Sequence, residues 1–306
     1  MNSGEIFGFL GPNGAGKTTT ISMLTTILKP TEGKAEINGL DVVKESSKVR
    51  GIIGLVPQEL TVDDELTGME NIMLQATLYH IPVELAKKRA AEVLDLIGLM
   101  DAAKRYVKTY SGGMRKRLEL ASGLIHKPKV LFLDEPTLGL DVQTRAAIWE
   151  YIRRLSREQN ITIFLTTHYM EEAEVLCDRL AIIDRGKIVV GGSPGELKDM
   201  LGGDIIEVTL KGEHEKLKDG LMGLPSVKDV MYKGGGYRIK VIRGEEAIPV
   251  ILEHLSSLGV EVQRVSLTKP TLDQVFLEYT GRRLRDEEST HEEVYMKAAA
   301  LRRLRM

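Results

Sequence analysis

Gly11-Pro12-Asn13-Gly14-Ala15-Gly16-Lys17-Thr18 is the stretch on which the reading of this chain turns. Its spacing is G-x-x-x-x-G-K-[ST], with an apolar run, Ile6–Leu10, before it and a helical pattern, Thr19–Leu28, after it. Strand, glycine-rich turn and helix in that order make a cradle for phosphate. The glycines let successive backbone N–H groups converge without a side chain intervening. The opening helix adds its orphan N–H groups and the positive end of its dipole. On this reading Gly11, Pro12, Asn13, Gly14, Ala15, Gly16, Lys17, Thr18 and Thr19 hold a nucleotide. Lys17 is expected to bridge the β- and γ-phosphates, and the Thr18 hydroxyl to ligate Mg²⁺.

Outward from that loop, short apolar runs alternate with longer helical patterns. Ile6–Leu10, Ile52–Val56, Val130–Leu133, Ile161–Thr166 and Leu180–Ile183 read as buried strands, and Glu84–Ile97 and Val142–Gln159 as helices. Fully apolar strands alternating with helices predict an α/β fold with a parallel sheet covered on both faces. The stretch from about 64 to 127 is largely helical, which predicts a helical subdomain inserted into the sheet. Asn38-Gly39 and Arg185-Gly186 read as tight turns between short strands.

The composition changes near Gly191-Gly192-Ser193-Pro194, and Leu201-Gly202-Gly203 reads as a linker. The first domain is therefore expected over 1–200. Beyond it come strand Ile205–Leu210, helix Glu215–Met222, strands Val227–Tyr232 and Tyr237–Val241, helix Glu246–Leu258 and strand Val260–Leu267. That order, βαββαβ, is the ferredoxin-like α+β pattern, expected as a small domain over 204–280. Leu272, Val275, Phe276 and Tyr279 share one helical face, which predicts a docking helix at its end. The tail 281–306 is heavily charged, with a helical pattern over Glu292–Arg305.

A length of 306 residues suits two domains, and 42% hydrophobic with 28% charged residues is a soluble globular balance. A formal net charge of -2 gives no global reason to expect nucleic acid or an anionic membrane as partner. The one cysteine, Cys177, rules out an intrachain disulfide and suits a reducing compartment. Neither a secretory signal nor an apolar run long enough to span a bilayer is visible. If the protein works at a membrane, another chain is expected to supply the spanning segments.

Two further segments narrow the chemistry. Val130–Leu133 delivers Asp134 to the end of a buried strand, where its carboxylate can hold Mg²⁺. Adjacent Glu135 can accept a proton from an attacking water as general base. In Tyr110-Ser111-Gly112-Gly113-Met114-Arg115, Ser111 is an N-cap, the two glycines leave N–H groups bare, and a helix is expected over Met114–Ile125. Arg115, Lys116 and Arg117 then crowd the first turn against the helix dipole, as if that end faced an anion. The chain thus offers a second phosphate-binding element beside a single phosphate loop.

With these motifs in order, the sequence resembles the ATP-binding subunits of ABC transporters over nearly its whole length. Tyr110–Met114 stands where that family has Leu-Ser-Gly-Gly-Gln. Gln58, in Gly54-Leu55-Val56-Pro57-Gln58, resembles the Q-loop glutamine, which in the family touches Mg²⁺ and the transmembrane subunit. Gly139-Leu140-Asp141 is similar to the D-loop, and Thr166-Thr167-His168 to the segment with the switch histidine. The resemblance implies a head-to-tail pair of cassettes, homodimeric or with a second cassette. Ser111, Gly112, Gly113 and Asp141 then act on the partner's ATP. It also implies ATP hydrolysis with Glu135 as base and His168 on the γ-phosphate. Thr18, Gln58 and Asp134 are the implied Mg²⁺ set.

Tyr110 and Met114 depart from the family consensus, and in both the chain resembles the daunorubicin-type exporter ATPases. So does Pro270-Thr271-Leu272-Asp273-Gln274-Val275-Phe276-Leu277. The implied function is the ATP-driven motor of a membrane exporter for drugs, antibiotics or lipid-like substrates, working through a separate permease. The implied location is cytoplasmic, at the inner face of the cell membrane, touching it only through the permease. The alternative is a non-transport ABC ATPase acting on nucleic acid or ribosomes, although no nucleic acid is expected as partner. In the family, edge strands and an adenine-stacking aromatic normally precede the phosphate loop. With Gly11 this near Met1, the expectation is a chain lacking that segment or holding adenine another way.

Overall fold

The computed structural model describes residues 1–211, 217–233 and 236–280. They form two compact units, divided in sequence between Gly191 and Gly192. The first unit opens with β1 (Ile6–Leu10), the glycine-rich loop and helix α1 (Lys17–Leu24). Two short strands, β2 (Glu36–Ile37) and β3 (Leu40–Asp41), pair about Asn38-Gly39, and α2 (Ser46–Ile52) leads into β4 (Ile53–Val56). A helical region follows, with α3 (Gly68–Leu78), α4 (Val83–Leu96) and α5 (Gly112–Ser122). The chain then returns to the sheet through β5 (Val130–Asp134), α6 (Val142–Gln159), β6 (Thr162–Thr167), α7 (Met170–Leu176), β7 (Arg179–Asp184) and β8 (Lys187–Gly192).

The six strands lie in the order β4-β5-β6-β1-β7-β8. The pairs β4·β5, β5·β6, β6·β1 and β1·β7 are all parallel. β1 is therefore central, and every residue of β6 is buried. That burial is why those strands read as unbroken apolar runs. Under α1 and α2 the Phe164 ring packs against Phe7, Phe9 and Phe132, with centroids 5.5–5.8 Å apart.

Two helices are shorter than their sequence patterns. α1 ends at Leu24 rather than Leu28, because Thr26 turns to φ 67° and the N–H groups of Ile27 and Leu28 fold back to Ser22 O. Ile27 and Leu28 are exposed, so no apolar face rewards continuing the helix through β-branched residues. α5 ends at Ser122, ahead of Ile125.

The second unit contains α8 (Pro194–Met200), β9 (Asp204–Leu210), α9 (Lys218–Met222), β10 (Val227–Lys233), β11 (Gly236–Val241), α10 (Gly244–Ser257), β12 (Val262–Thr268) and α11 (Leu272–Thr280). Its sheet runs β10-β11-β9-β12 with every pairing antiparallel, which is the ferredoxin-like βαββαβ arrangement. Its core is Ile206, Val208, Tyr237, Ile239, Ile251 and Leu255 with their neighbours. α8 was not evident from hydrophobic spacing; it starts on a capping box between Ser193 and Glu196 and packs with α11. The expected start of the helix at Glu215 and the expected helix over Glu292–Arg305 lie outside the described residues.

Candidate nucleotide site

Parallel pairing brings the carboxyl ends of three strands together, with Leu10 opposite Thr167 and Asp134 opposite Thr166. Open α/β sheets place their ligands at such ends. From β1 the chain enters the loop. Gly16, at the N-cap of α1, has φ 106°, a conformation a Cβ would oppose. That turn leaves Asn13, Gly14, Thr18 and Thr19 exposed, while Lys17 is buried.

The Lys17 ammonium has three donors and three partners. It donates to Gly11 O at 2.8 Å and Pro12 O at 3.2 Å, and pairs with Glu135 Oε1 at 3.0 Å. The other oxygen of that carboxylate, Oε2, lies 3.0 Å from His168 Nδ1. Glu135 therefore joins the phosphate-loop lysine to the histidine after β6. Burial disfavours its charged form, but the hydrogen bond from His168 and the nearby Lys17 outweigh this and hold the carboxyl below its ordinary value. Glu135 also has φ 48°, an unfavourable conformation for a residue with a Cβ.

Thr166 binds both acids, and the sequence, which named it only as part of the segment before His168, assigned it no such role. Its hydroxyl donates to Asp134 Oδ1 and accepts from the Glu135 N–H at 3.1 Å. Only the strand register, pairing Asp134 with Thr166, could have revealed it. Glu172, four residues after His168, was missed too. It is fully buried and accepts from Thr137 Oγ1 at 2.7 Å and Trp149 Nε1 at 2.8 Å. Burial pushes its carboxyl above the ordinary range. It ties the segment after His168 to the turn after Glu135 and to α6. Alongside, the Arg145 guanidinium stacks 4.2 Å over the Tyr169 ring and donates to Leu140 O at 3.5 Å.

The remaining predicted residues form a second group. Ser111 caps α5 by accepting the Met114 N–H at 3.3 Å, with Ser111 and Gly112 exposed. Asp141 caps α6, accepting from Thr144 Oγ1 at 2.6 Å and Thr144 N at 2.9 Å. Those bonds hold its carboxyl below the ordinary value. Thr144 also links the two turns, because its methyl lies where a Cβ on Gly113 would sit. Tyr110 is buried and donates to Ala102 O at 2.7 Å, so it props the turn from behind.

The expectation that Arg115, Lys116 and Arg117 face an outside anion needs correction, because each cation turns to its own chain. Arg115 pairs with Asp64 at 3.4 Å and donates to Lys108 O. Lys116 donates to Pro57 O, and Arg117 to Ile97 O at 2.9 Å. The Ser111–Gly113 turn itself stays exposed at Ser111 and Gly112. Gln58 stands exposed beyond the end of β4.

Comparison with known proteins places these features. Residues 1–138 match the family described as ABC transporter, and residues 192–280 the C-terminal domain described as ATP-binding protein DrrA1-3-like. The linearmycin resistance ATP-binding protein LnrL of Bacillus subtilis is 39% identical, over 94% of this chain and 93% of its own length. The daunorubicin/doxorubicin resistance ATP-binding protein DrrA of Streptomyces peucetius is 42% identical, over 95% and 88%. Among solved structures, the ATP-binding cassette MJ0796, a dimer in a post-hydrolysis state bound to ADP and Pi, is 28% identical. It has a TM-score of 0.57, covering 63% of this chain and 87% of that one. CbiO1 from Clostridium perfringens, part of the ABC transporter complex cbiONQ, is 29% identical with a TM-score of 0.60, covering 64% and 80%.

Proposed function

We propose, from the premise that this chain belongs to the ABC transporter family of ATP-binding, ATP-hydrolysing subunits, that it drives efflux of a drug, antibiotic or lipid-like substrate through a separate permease. Whole-length similarity to the LnrL and DrrA resistance proteins supports that substrate class over action on nucleic acid or ribosomes. Among the described residues no helix is long and apolar enough to cross a membrane. As the motor of such a permease, its proposed place of work is the inner face of the cell membrane.

The observation that carries the mechanism is Glu135, held between Lys17 and His168 at the converging strand ends. The N–H groups of the 11–19 turn bind the phosphates of ATP, with Lys17 supplying fixed positive charge. Thr18 offers a hydroxyl, Asp134 a carboxylate and Gln58 an amide oxygen, a hard-oxygen set suited to Mg²⁺. Held by these residues, Mg²⁺ would neutralise charge on the phosphates. Glu135, kept ionised by its two neighbours, accepts the proton of the attacking water, and His168 orients the γ-phosphate. Ser111, Gly112, Gly113 and Asp141 complete the site of a second cassette, whose own turn completes this one.

Size-exclusion chromatography of Glu135→Gln with and without MgATP tests the reading. Blocked hydrolysis is expected to trap an ATP-dependent dimer. A chain that binds ATP but elutes as a monomer under both conditions removes the composite site.

A further inference from the structure

The loop after β4 has no regular structure, yet its backbone is fastened at successive points by buried polar side chains of the helical region. Lys116 donates its Nζ to Pro57 O at 3.2 Å and Gln58 O at 3.5 Å. Glu119, one turn on along α5, receives Thr61 N at 2.8 Å, Val62 N at 3.1 Å and the Thr61 hydroxyl. Asn71 of α3 receives Asp63 N at 2.8 Å and donates to Asp63 O at 2.9 Å. Lys116, Glu119 and Asn71 are 5%, 2% and 4% exposed, while Gln58, Glu59 and Leu60 are exposed.

Charges that deep are costly unless every polar atom is used. Here the ammonium takes backbone carbonyls and the carboxylate takes backbone N–H groups, so the loop's own dipoles satisfy both. Positions i and i+3 put the two side chains on one face of α5. That same helix is capped by Ser111. The Gln58 loop and the Ser111–Gly113 turn are thus mounted on one rigid element, although they belong to opposite nucleotide sites of a dimer.

We propose that Lys116 and Glu119 are positioning residues, which clamp the Gln58–Val62 backbone to α5 so that Gln58 and the Ser111–Gly113 turn move as one piece. The proposal rests on the roles given above to those two segments. A change felt at Gln58 then reaches the partner's nucleotide through eight residues of helix, without passing through the sheet. Neither side chain touches the nucleotide, so both act on closure rather than on binding in the chain's own phosphate loop.

Two measurements on the full-length chain test this. In nucleotide-free protein, hydrogen exchange across residues 57–65 is expected to quicken by about tenfold or more in Glu119→Gln, which keeps the side chain's shape. Exchange across the phosphate loop stays as it was. Unchanged exchange in 57–65 overturns the clamp, whatever the ATPase does. In steady-state turnover, Glu119→Gln and Lys116→Met are expected to lower kcat about tenfold with KM for ATP within about twofold. Lys116→Arg, which keeps the donors, restores most of kcat. A kcat equal to the unsubstituted chain's overturns the proposal. So does a loss that Lys116→Arg shares and that follows a falling Tm, because the residues are then only structural. Failure of the unsubstituted chain to hydrolyse ATP counts against the proposed function instead, and the exchange result alone then decides the clamp.

Discussion

The two units solve the burial problem in opposite ways. Up to Gly191 the interior holds Lys17, Lys116, Glu119, Asp134, Glu135 and Glu172, every one at or below 6% exposure. Among the described residues of the second unit, no polar or charged side chain is buried. Its core is aliphatic apart from Tyr237, whose hydroxyl accepts the Leu217 N–H at 3.1 Å. Buried ions stabilise little or nothing compared with apolar packing. A domain that carries so many is organised around something other than stability. The contrast separates a unit whose interior carries several charged side chains from one whose interior is packed almost wholly with apolar ones.

The largest effect expected from this contrast is at Lys17. Lys17→Ala should cut ATP turnover about 10³-fold or more, since it removes the charge proposed to face the phosphates. Melting of the cassette should fall as well, because Glu135 keeps His168 on Oε2 but loses the partner of its buried Oε1. A Lys17→Ala chain that hydrolyses ATP normally breaks the site, and one that fails to fold makes the buried charges structural. Glu135→Gln should match it in lost turnover but retain ATP binding, which a fluorescent nucleotide titration would show.

The second unit should respond in the other currency. Ile239→Ala deletes fully buried methyl groups in β11 and should cost about 2–5 kcal/mol of that unit's stability, read as a lowered melting transition. ATP affinity should hold within about twofold, since none of the proposed nucleotide residues lies beyond Gly191. A large loss of ATP binding would erase the contrast between the units.

Why the sequence announced some of this and not the rest follows from the same contrast. Motifs whose spacing is local were legible: the 11–18 turn, the Asp134-Glu135 pair, the Ser111 cap and the βαββαβ rhythm. Each depends on neighbours within a turn or a strand. Thr166, Glu119 and Glu172 were not legible, because their partners lie 32, 58 and 35 residues away and only folding reveals them. The three cations after Met114 misled for the same reason. Local helix electrostatics suggested an external anion, whereas Asp64, Pro57 and Ile97 had already claimed them. α8 was a different miss, since Ser193-Pro194-Gly195-Glu196 is a capping box that reads locally once it is looked for.

The smallest effect concerns a titratable group in the cassette that serves packing rather than chemistry, and so it sharpens the contrast. His126 stacks on Tyr79 with ring centroids 3.8 Å apart, and its Nε2 lies 2.7 Å from Ile53 O, to which it donates. Burial holds its pKa below the ordinary 6.5, outweighing the bond to Ile53 O, and Arg89 lowers it further. The folded state therefore prefers neutral His126, and the unfolded state takes up the proton first as pH falls. Its contribution is complete above pH 6.5 and is lost below it, down to the folded-state pKa. The slope is at most about 1.4 kcal/mol per pH unit. His126→Phe keeps the stack but cannot titrate, so its stability should fall less than the native chain's between pH 6.5 and 5 in parallel urea titrations. Equal slopes would mean that His126 is protonated equally in both states, and that burial in the helical region does not govern its charge.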